Sequence, residues 1–364
     1  MFRRIFRMAE ESVSKKPRIG GPQIGTHNGH FHADEALAVY LLRLLPTYSQ
    51  SSLIRTRDPA LLATCHTVVD VGGEYDAATN RYDHHQRTFS TTFPGYNTKL
   101  SSAGLVYMHF GRDIIAQHTQ LPADHANVNL LYKKLYTDFV EAVDANDNGV
   151  SVYEPESVKS AGLEKRFRDG GVTTASIVND MNSGVLPGEE SLTEDALFEN
   201  ASNFIGGVFA RKLALAAGSW LPARETVKNA YENRKNVHAS GRILVIEAGG
   251  GVPWKEHLYN FEKEAIAAGA GEDDAKVSYV LYPESATEGA KWRIQAVSVN
   301  EGSFVSRKPL PESWRGVRDE DLDGVLKADG AGVPEGAVFV HASGFIGGHK
   351  TKEGAFAMAL KALE

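Results

Sequence analysis

Short apolar runs and helix-periodic segments take turns from Gln23 to Gly72, and their order predicts a fold. Ile24-Gly25-Thr26 reads as the end of a strand, followed by a polar, histidine-rich loop. From Asp34 to Leu45 the apolar residues Ala36, Leu37, Val39, Tyr40, Leu41 and Leu44 recur at helical spacing, which predicts a helix. Pro46 ends it, because proline lacks the N–H that the next turn needs. Leu53-Ile54-Arg55-Thr56 reads as a second strand and Pro59 to Thr64 as a short helix. His66-Thr67-Val68-Val69-Asp70-Val71-Gly72 reads as a buried strand closed by glycine. Strand, helix, strand, helix, strand within about fifty residues predicts a parallel, doubly wound α/β sheet.

Residues 100–147 predict helices, first through Ala103 to Met108 and then from Leu130 to Val143. Residues 150–200 are rich in Ser, Gly, Glu and Asn and read as a loop near the active site plus a helix. Ala196 to Gly218 is a second long helical stretch. Near Asn236 to Gly241 the pattern changes to short β-type runs separated by turn residues: Ile243 to Ile246, Val277 to Tyr282, Trp292 to Val297 and Ala337 to Val340. A helix from Lys352 to Leu363 closes the chain. The expected organisation is a disordered or targeting segment over 1–20, an α/β domain with a helical extension over 21–238, and a smaller α+β domain over 239–364.

Composition narrows the class. A chain of 364 residues fits two domains, and 42% hydrophobic with 23% charged residues fits a soluble globular protein. The 39 basic against 46 acidic side chains, a net charge of −7, argue against coating nucleic acid with a generally basic surface. A nuclease whose local cations are bound metals stays compatible. The single cysteine, Cys65, excludes an intrachain disulfide and a cysteine-based zinc cluster. The longest apolar runs, such as Ala36 to Leu45, are too short or broken to span a bilayer, so no membrane partner is expected.

At the N-terminus, Arg3, Arg4 and Arg7 alternate with Phe2, Ile5, Phe6 and Met8, the basic amphipathic pattern of a mitochondrial presequence. Glu10 and Glu11 break that pattern, and Lys15, Lys16 and Arg18 form a basic cluster suited to nuclear import. The expected location is the mitochondrion, the nucleus or both, with the cytoplasm as the alternative for a tail without an address.

Three sites at strand ends carry the chemistry. The first is Thr26-His27-Asn28-Gly29-His30-Phe31-His32-Ala33-Asp34-Glu35, the second Asp70, and the third Asp83-His84-His85. Ligands of open α/β sheets gather at the carboxyl ends of strands. Taken singly, each residue also has a plain structural reading: a surface histidine, a helix N-cap aspartate, a turn tripeptide. Together they would be costly to bury without a metal or mutual pairing. Imidazole with carboxylate and no thiolate favours Mn²⁺, with Mg²⁺ or Zn²⁺ as alternatives. The surplus of ligands suggests a pair of divalent ions about 3.5–4 Å apart.

Asp83-His84-His85, preceded by Asp70 and a histidine-rich first loop, resembles the DHH phosphoesterase superfamily. More closely, Gly25 to Gly29, Val69 to Asp76, Arg81 to Arg87, Thr98 to Gly104, Trp220 to Arg224, Pro253 to His257 and Val340 to His349 resemble the melanocyte-proliferating-gene exonuclease family. The resemblance runs from about residue 18 to the end of the chain. It implies His27, His32 and Asp70 at one metal, and Asp34, Asp70, His84 and an acid from Asp144-Ala145-Asn146-Asp147 at the other, with Asp70 bridging. Asp144 is taken as that acid, ahead of Asp147. His32 and Asp34 follow His27 by five and seven residues, whereas the wider superfamily places two aspartates at four and six, so the first site here is softer. Asp70, Asp83, His84 and His85 would form the catalytic group, with His85 contacting the scissile phosphate and not a metal.

In the second domain, Gly344-Phe345-Ile346-Gly347-Gly348-His349-Lys350 resembles the glycine–glycine–histidine loop of the DHH-associated domain. That resemblance implies a phosphate grip by Gly347, Gly348, His349 and Lys350, although such a run is also an ordinary turn before a helix. Arg315 and Arg318 near Trp314, and Arg307 with Lys308, are candidates for tracking a strand backbone. The expected architecture holds the active site in the cleft between the two domains. The expected reaction is phosphodiester hydrolysis, and the resemblance implies a 3′-5′ exoribonuclease that releases nucleoside monophosphates from a single-stranded RNA 3′ end. DNA is the second polymer to test. The alternatives are a small-molecule phosphohydrolase acting on pyrophosphate or short dinucleotides, and a non-catalytic RNA-binding protein.

Overall fold

A computed structural model of the chain describes residues 20–165, 172–183 and 192–364. The basic N-terminal segment that carries the targeting expectation lies outside the described residues, as do parts of the polar stretch 150–200. The chain divides into two compact units, Met1–Ala217 and Gly218–Glu364. The division lies earlier than the expected boundary near residue 238, because the helix Leu221–Val237 shares a core with later residues. Its Val227 and Tyr231 pack with Leu244, Ile246 and Leu258.

The first unit is built on β1 (Ile24–Thr26), β2 (Leu53–Arg55), β3 (Thr67–Val69), β4 (Tyr75–Asp76) and β5 (Arg81–Tyr82), in the order β2-β1-β3-β5-β4. The first four in that order run parallel, whereas β4 is antiparallel to β5. Ile24 pairs with both Leu53 and Thr67, and Val69 pairs with Tyr82. Every residue of β1 and β3 is buried, as expected of inner parallel strands. Because β1, β3 and β5 are adjacent and parallel, their carboxyl ends lie side by side. Those ends deliver His27, Asp70 and the Asp83-His84-His85 run to one place.

Helices complete this unit: α1 (Ala33–Leu44), α2 (Ser102–Thr119), α3 (Ala126–Leu135), α4 (Glu141–Asp147) and α5 (Glu194–Leu215). The apolar stripe of α1 read from the sequence is buried throughout Ala36 to Val39 and at Leu41 and Leu42. Between α3 and α4 the chain passes through a wider π-helical turn, Tyr136–Val140, with Tyr136 stacked on Phe93 at 3.7 Å. Helix α5 approaches α1 closely at Gly206, where a Cβ would overlap the Tyr40 ring. The helical stretch Glu194–Val237 is long and apolar enough, by length and composition, to cross a membrane. Within it Phe198, Ala201, Ile205 and Phe209 are buried, while most of the apolar window is not.

The second unit contains α6 (Leu221–Val237), β6 (Ile243–Val245), α7 (Lys255–Ala267), β7 (Tyr279–Pro283), β8 (Trp292–Ala296), α8 (Asp319–Ala328), β9 (Ala337–Val340), β10 (Ile346–His349) and α9 (Lys352–Leu363). Its sheet has the order β6-β7-β8-β10-β9, with β6 parallel to β7 and the other pairs antiparallel. Alternate residues feed two cores: Ile243, Tyr279 and Leu281 pack with Met358, while Leu244 and Val280 pack with Leu258. The molecule is thus a mixed α/β protein with two sheets.

The glycine–glycine–histidine run forms no loop. Gly347, Gly348 and His349 lie in β10, hydrogen-bonded to β8 and β9 on either side. A Cβ at Gly348 would meet the Arg293 guanidinium, which lies across the strand there. His349 is fully buried. Its Nε2–H donates to the Pro334 carbonyl at 2.9 Å, and Nδ1 accepts from the Thr351 N–H at 3.0 Å. Gly336 and Gly354 leave the space its ring fills. Both ring nitrogens are engaged within the unit, so His349 packs inside the second unit in this structure. Lys350 is exposed, its backbone N–H bound to the Gly336 carbonyl. Arg315 donates from Nε to the Leu310 carbonyl at 2.9 Å. Arg307 is locked to Glu262 by two contacts of 2.7 Å, and Lys308 Nζ donates to the Leu363 carbonyl.

Replacing His349 with alanine empties a closed space and leaves the Thr351 N–H and the Pro334 carbonyl without their partner. We expect His349→Ala to lose on the order of 2–4 kcal/mol of stability, read as a lower urea midpoint. Metal affinity of the folded variant should be unchanged. A variant of wild-type stability that lost metal or substrate binding would restore His349 as a functional group.

Candidate metal centre

His27 follows β1 directly and is buried. Its Nδ1–H donates to the Asn28 carbonyl at 3.1 Å, which fixes the tautomer and leaves Nε2 facing inward. Nε2 lies 3.0 Å from Glu35 Oε1 and 3.3 Å from Asp70 Oδ2. The rest of the loop is pinned from outside. The Asn182 side chain bonds both the N–H and the carbonyl of Phe31 at 2.9 Å, and Arg55 donates to the Gly29 carbonyl at 2.6 Å. Asn182 comes from the stretch expected to lie near the active site.

Asp70 takes a left-handed backbone, φ 58°, immediately after β3. Aspartate tolerates this conformation better than most residues. One oxygen, Oδ2, faces His27, and the other, Oδ1, lies 3.3 Å from His84 Nε2. His84 Nε2 is also 3.0 Å from Asp147 Oδ2 and 3.9 Å from Asp34 Oδ2. Asp34, fully buried on the first turn of α1, accepts from the N–H groups of Ser102 and Ala103 at the start of α2 and from Ser101 Oγ. A helix N-terminus suits a carboxylate, since its first N–H groups have no partner inside the helix.

The donor atoms fall into three groups, each with all members within 4.8 Å of one another: His27, His32, Glu35 and Asp70; Asp70, His84 and His85; and Asp34, His84 and Asp147. Asp70 and His84 are each shared by two groups. Asp83 stands behind them. Its Oδ2 accepts from the Gly73 N–H at 2.6 Å and its Oδ1 from His85 Nδ1 at 2.7 Å. His85 is turned outward, with 63% of its side chain exposed, and also falls within the Asp70–His84 group. The sequence reading had set it apart from the metal.

Two residues differ from the sequence reading. Asp147, and not Asp144, brings its carboxylate to His84. Asp147 is the last residue of α4 and reaches out of the helix end, whereas Asp144, one turn earlier, is buried against Ser101 and Tyr136. Glu35 joins His27, a position the sequence reading left empty. The signal was an acid at the third position of α1, which ordinarily marks a capping interaction, and Glu35 Oε1 does accept from the His32 N–H at 2.9 Å.

Protons occupy this cluster in the absence of cations. Burial opposes charge on His27 and His84, but the carboxylates of Asp70 and Glu35 around the first, and of Asp147 and Asp70 around the second, raise each to about 10. Burial would raise Asp70 as well, yet the two imidazoles hold it well below the usual carboxylate range. Asp34 is pushed up by burial and by the charges of Asp147 and Asp70, and Glu35 by burial. His84 Nε2 and Glu35 Oε2 are buried with no hydrogen-bond partner. Orphaned buried polar atoms are costly, and a cation within each donor group would satisfy imidazole and carboxylate together. The donor set fits divalent ions of the Mn²⁺, Mg²⁺ or Zn²⁺ kind. His27, Glu35, Asp70 and His32 would hold one; Asp34, His84, Asp147 and Asp70 would hold another.

Imidazoles must lose their protons to ligate, so Mn²⁺ uptake near neutral pH should release protons. Calorimetric binding heats should then differ between buffers of different ionisation enthalpy, and affinity should rise from about pH 6 to 8. Asp70→Asn should weaken binding at least about tenfold. Heats independent of the buffer, with affinity independent of pH, would count against these ligands.

Residues 23–363 match the model of the MYG1 exonuclease family, described as an uncharacterised protein family (UPF0160). The chain is 44% identical over 365 residues to the MYG1 exonuclease of Mus musculus, an alignment covering 98% of this chain and 89% of that protein. It is 45% identical over 355 residues to the MYG1 exonuclease of Homo sapiens, covering 95% and 87%. The MYG1 protein of Saccharomyces cerevisiae is 43% identical over 342 residues, covering 94% and 95%. With the match running from Gln23 to Leu363, the chain belongs to the MYG1 exonuclease family.

Proposed function

We propose that this protein is a metal-dependent phosphodiesterase, a 3′-5′ exoribonuclease that releases nucleoside monophosphates. The observation that carries the reading is the Asp70 carboxylate, with one oxygen on His27 and the other on His84, between two groups of metal-type donors. Relatives named exonucleases, similar over nearly the full chain, support the same class. Two divalent ions, when bound, supply Lewis acidity that lowers the pKa of water and offsets charge on the leaving oxygen.

The chain's own residues set the geometry of that chemistry. Asp70 fixes the spacing of the two donor groups, because both of its oxygens are committed. Asp83 holds His85 by the Nδ1 contact, so the outward Nε2 is free to donate to a phosphate oxygen. The hydrogen bond to Asp83 also raises the pKa of His85, which favours the protonated, donating ring near neutral pH. Removing Asp83 would leave the imidazole mobile and less basic, with the metal donors in place.

RNA and DNA labelled at either end, incubated with Mn²⁺ or Mg²⁺, test the reading. Label at the RNA 3′ end should appear first as mononucleotide, and chelation should stop its release. Asp70→Asn and Asp147→Asn should each lower turnover by about 100-fold or more, equivalent to roughly 2.7 kcal/mol of transition-state stabilisation. Turnover of pyrophosphate or dinucleotides without longer RNA would replace this reading with a small-molecule phosphohydrolase. RNA retention without product would indicate a binding protein, and preferred release from DNA would change the substrate.

A further inference from the structure

We propose that Arg55 is a positioning residue for the first donor group: through Gly29 and Phe31 it fixes the backbone that carries His32. Asn182 completes the clamp on that backbone. The proposal rests on reading His32 as a ligand beside His27, Glu35 and Asp70, and it names what keeps that ligand in place.

The donors of the first group are held unequally. His27 leaves β1 directly and is buried, and Glu35 is buried on the first turn of α1. His32 is exposed, so packing does not hold its ring where the group needs it. Its place follows from the backbone on either side, Phe31 before it and the start of α1 after it. Asp34, His84 and Asp147, the donors around the second ion, do not lie between His27 and His32. Fixing the loop therefore matters to one ion and not to the other.

Arg55, the last residue of β2, reaches this backbone from the strand beside β1. Its guanidinium carbon lies 5.6 Å from the Phe31 ring centroid and 4.9 Å from that of Phe198. Both rings are buried and meet edge to face at 5.6 Å. Arg55 Nη2 donates to the Gly29 carbonyl at 2.6 Å, and the Gly29 N–H donates to Glu194 Oε2 at 3.2 Å. Two residues on, the Asn182 side chain holds both the N–H and the carbonyl of Phe31. Gly29 and Phe31 thus each have both backbone polar groups tied to side chains distant in sequence.

Burying this arginine is costly. Its side chain is 1% exposed, and Nε and Nη1 have no hydrogen-bond partner. Glu194 and Asp195, on the first turn of α5, face Nη1 at 3.8 and 3.6 Å. Among the described residues, the one hydrogen bond of the guanidinium goes to Gly29, which has a left-handed backbone, φ 81°. The shape of the loop is what this buried charge serves. A planar guanidinium can lie against a ring and still donate in its own plane, which suits arginine better than lysine here.

Mn²⁺ titrations test the assignment, followed by calorimetry and by electron paramagnetic resonance, which separates paired from isolated ions. The wild type should take up two ions. Arg55→Met should weaken one of them by roughly tenfold, the scale expected for a partner behind a ligand, and leave the other unchanged. The signal of paired ions should give way to that of an isolated one. Asn182→Ala should reproduce this selective loss with the buried arginine in place, and it serves if Arg55→Met does not fold. Added to His32→Ala, Arg55→Met should bring no further loss, since it acts through His32. A merely structural arginine would lower the urea midpoint without distinguishing the two ions. Equal weakening of both ions, losses that add to those of His32→Ala, or two tightly held ions in folded Arg55→Met would overturn the proposal and leave the metal centre standing. A wild type that binds fewer than two ions would overturn the two-ion reading along with it.

Discussion

The contact on which the first unit depends is the Asp70 carboxylate held between His27 and His84. It ties the end of β1 to the end of β5 across β3, and it requires Asp70 to leave its strand in a left-handed turn. Strain of this kind is kept where the surroundings fix the residue. Here the two imidazoles fix it, and they hold Asp70 charged despite its burial. Everything else around the centre brings further acids to those imidazoles or supports the acids already there.

That gathering has a physical cost. Asp34, Glu35, Asp70 and Asp144 are buried together, with Asp147 at their edge. Like charges at this spacing repel strongly in a weakly polar interior. The fold offsets the repulsion in three ways: imidazoles beside Glu35, Asp70 and Asp147, unpaired N–H groups of α2 beneath Asp34, and a hydroxyl proton shared through Ser101. The run Ser101-Ser102-Ala103-Gly104 serves this purpose throughout. Ser101 lies between two acids, Ser102 and Ala103 present backbone donors, and Gly104 leaves room for Asp144.

The second unit uses glycine and histidine for packing. In β10, Gly348 lets the Arg293 side chain cross the strand, and His349 fills a closed space between Gly336 and Gly354. A glycine–glycine–histidine run before a helix suggests an anion site, but strand pairing on both edges commits most of its backbone N–H and carbonyl groups. The basic residues expected to meet nucleic acid are similarly engaged: Arg307 with Glu262 and Arg315 with the Leu310 carbonyl.

By itself the sequence determined the order of elements in the first unit and the strand ends where the chemistry gathers. Periodicity of two and of 3.6 residues is a local property, so β1, α1, β3 and the stripe of α1 were legible. Strand ends marked by Asp70 and Asp83-His84-His85 were legible for the same reason. Tertiary structure alone decided which acids meet which imidazoles. Asp144 and Asp147 are one turn apart on the same helix, and their separation into a support and a His84 neighbour depends on where α4 ends relative to α2. Glu35 lies in the first histidine-rich run, and its approach to His27 spans a loop that only the closed sheet defines. The burial of His349 was not legible because a short Gly-rich strand has no side-chain alternation to reveal it, and it follows from partners in β8 and β9 that are distant along the chain.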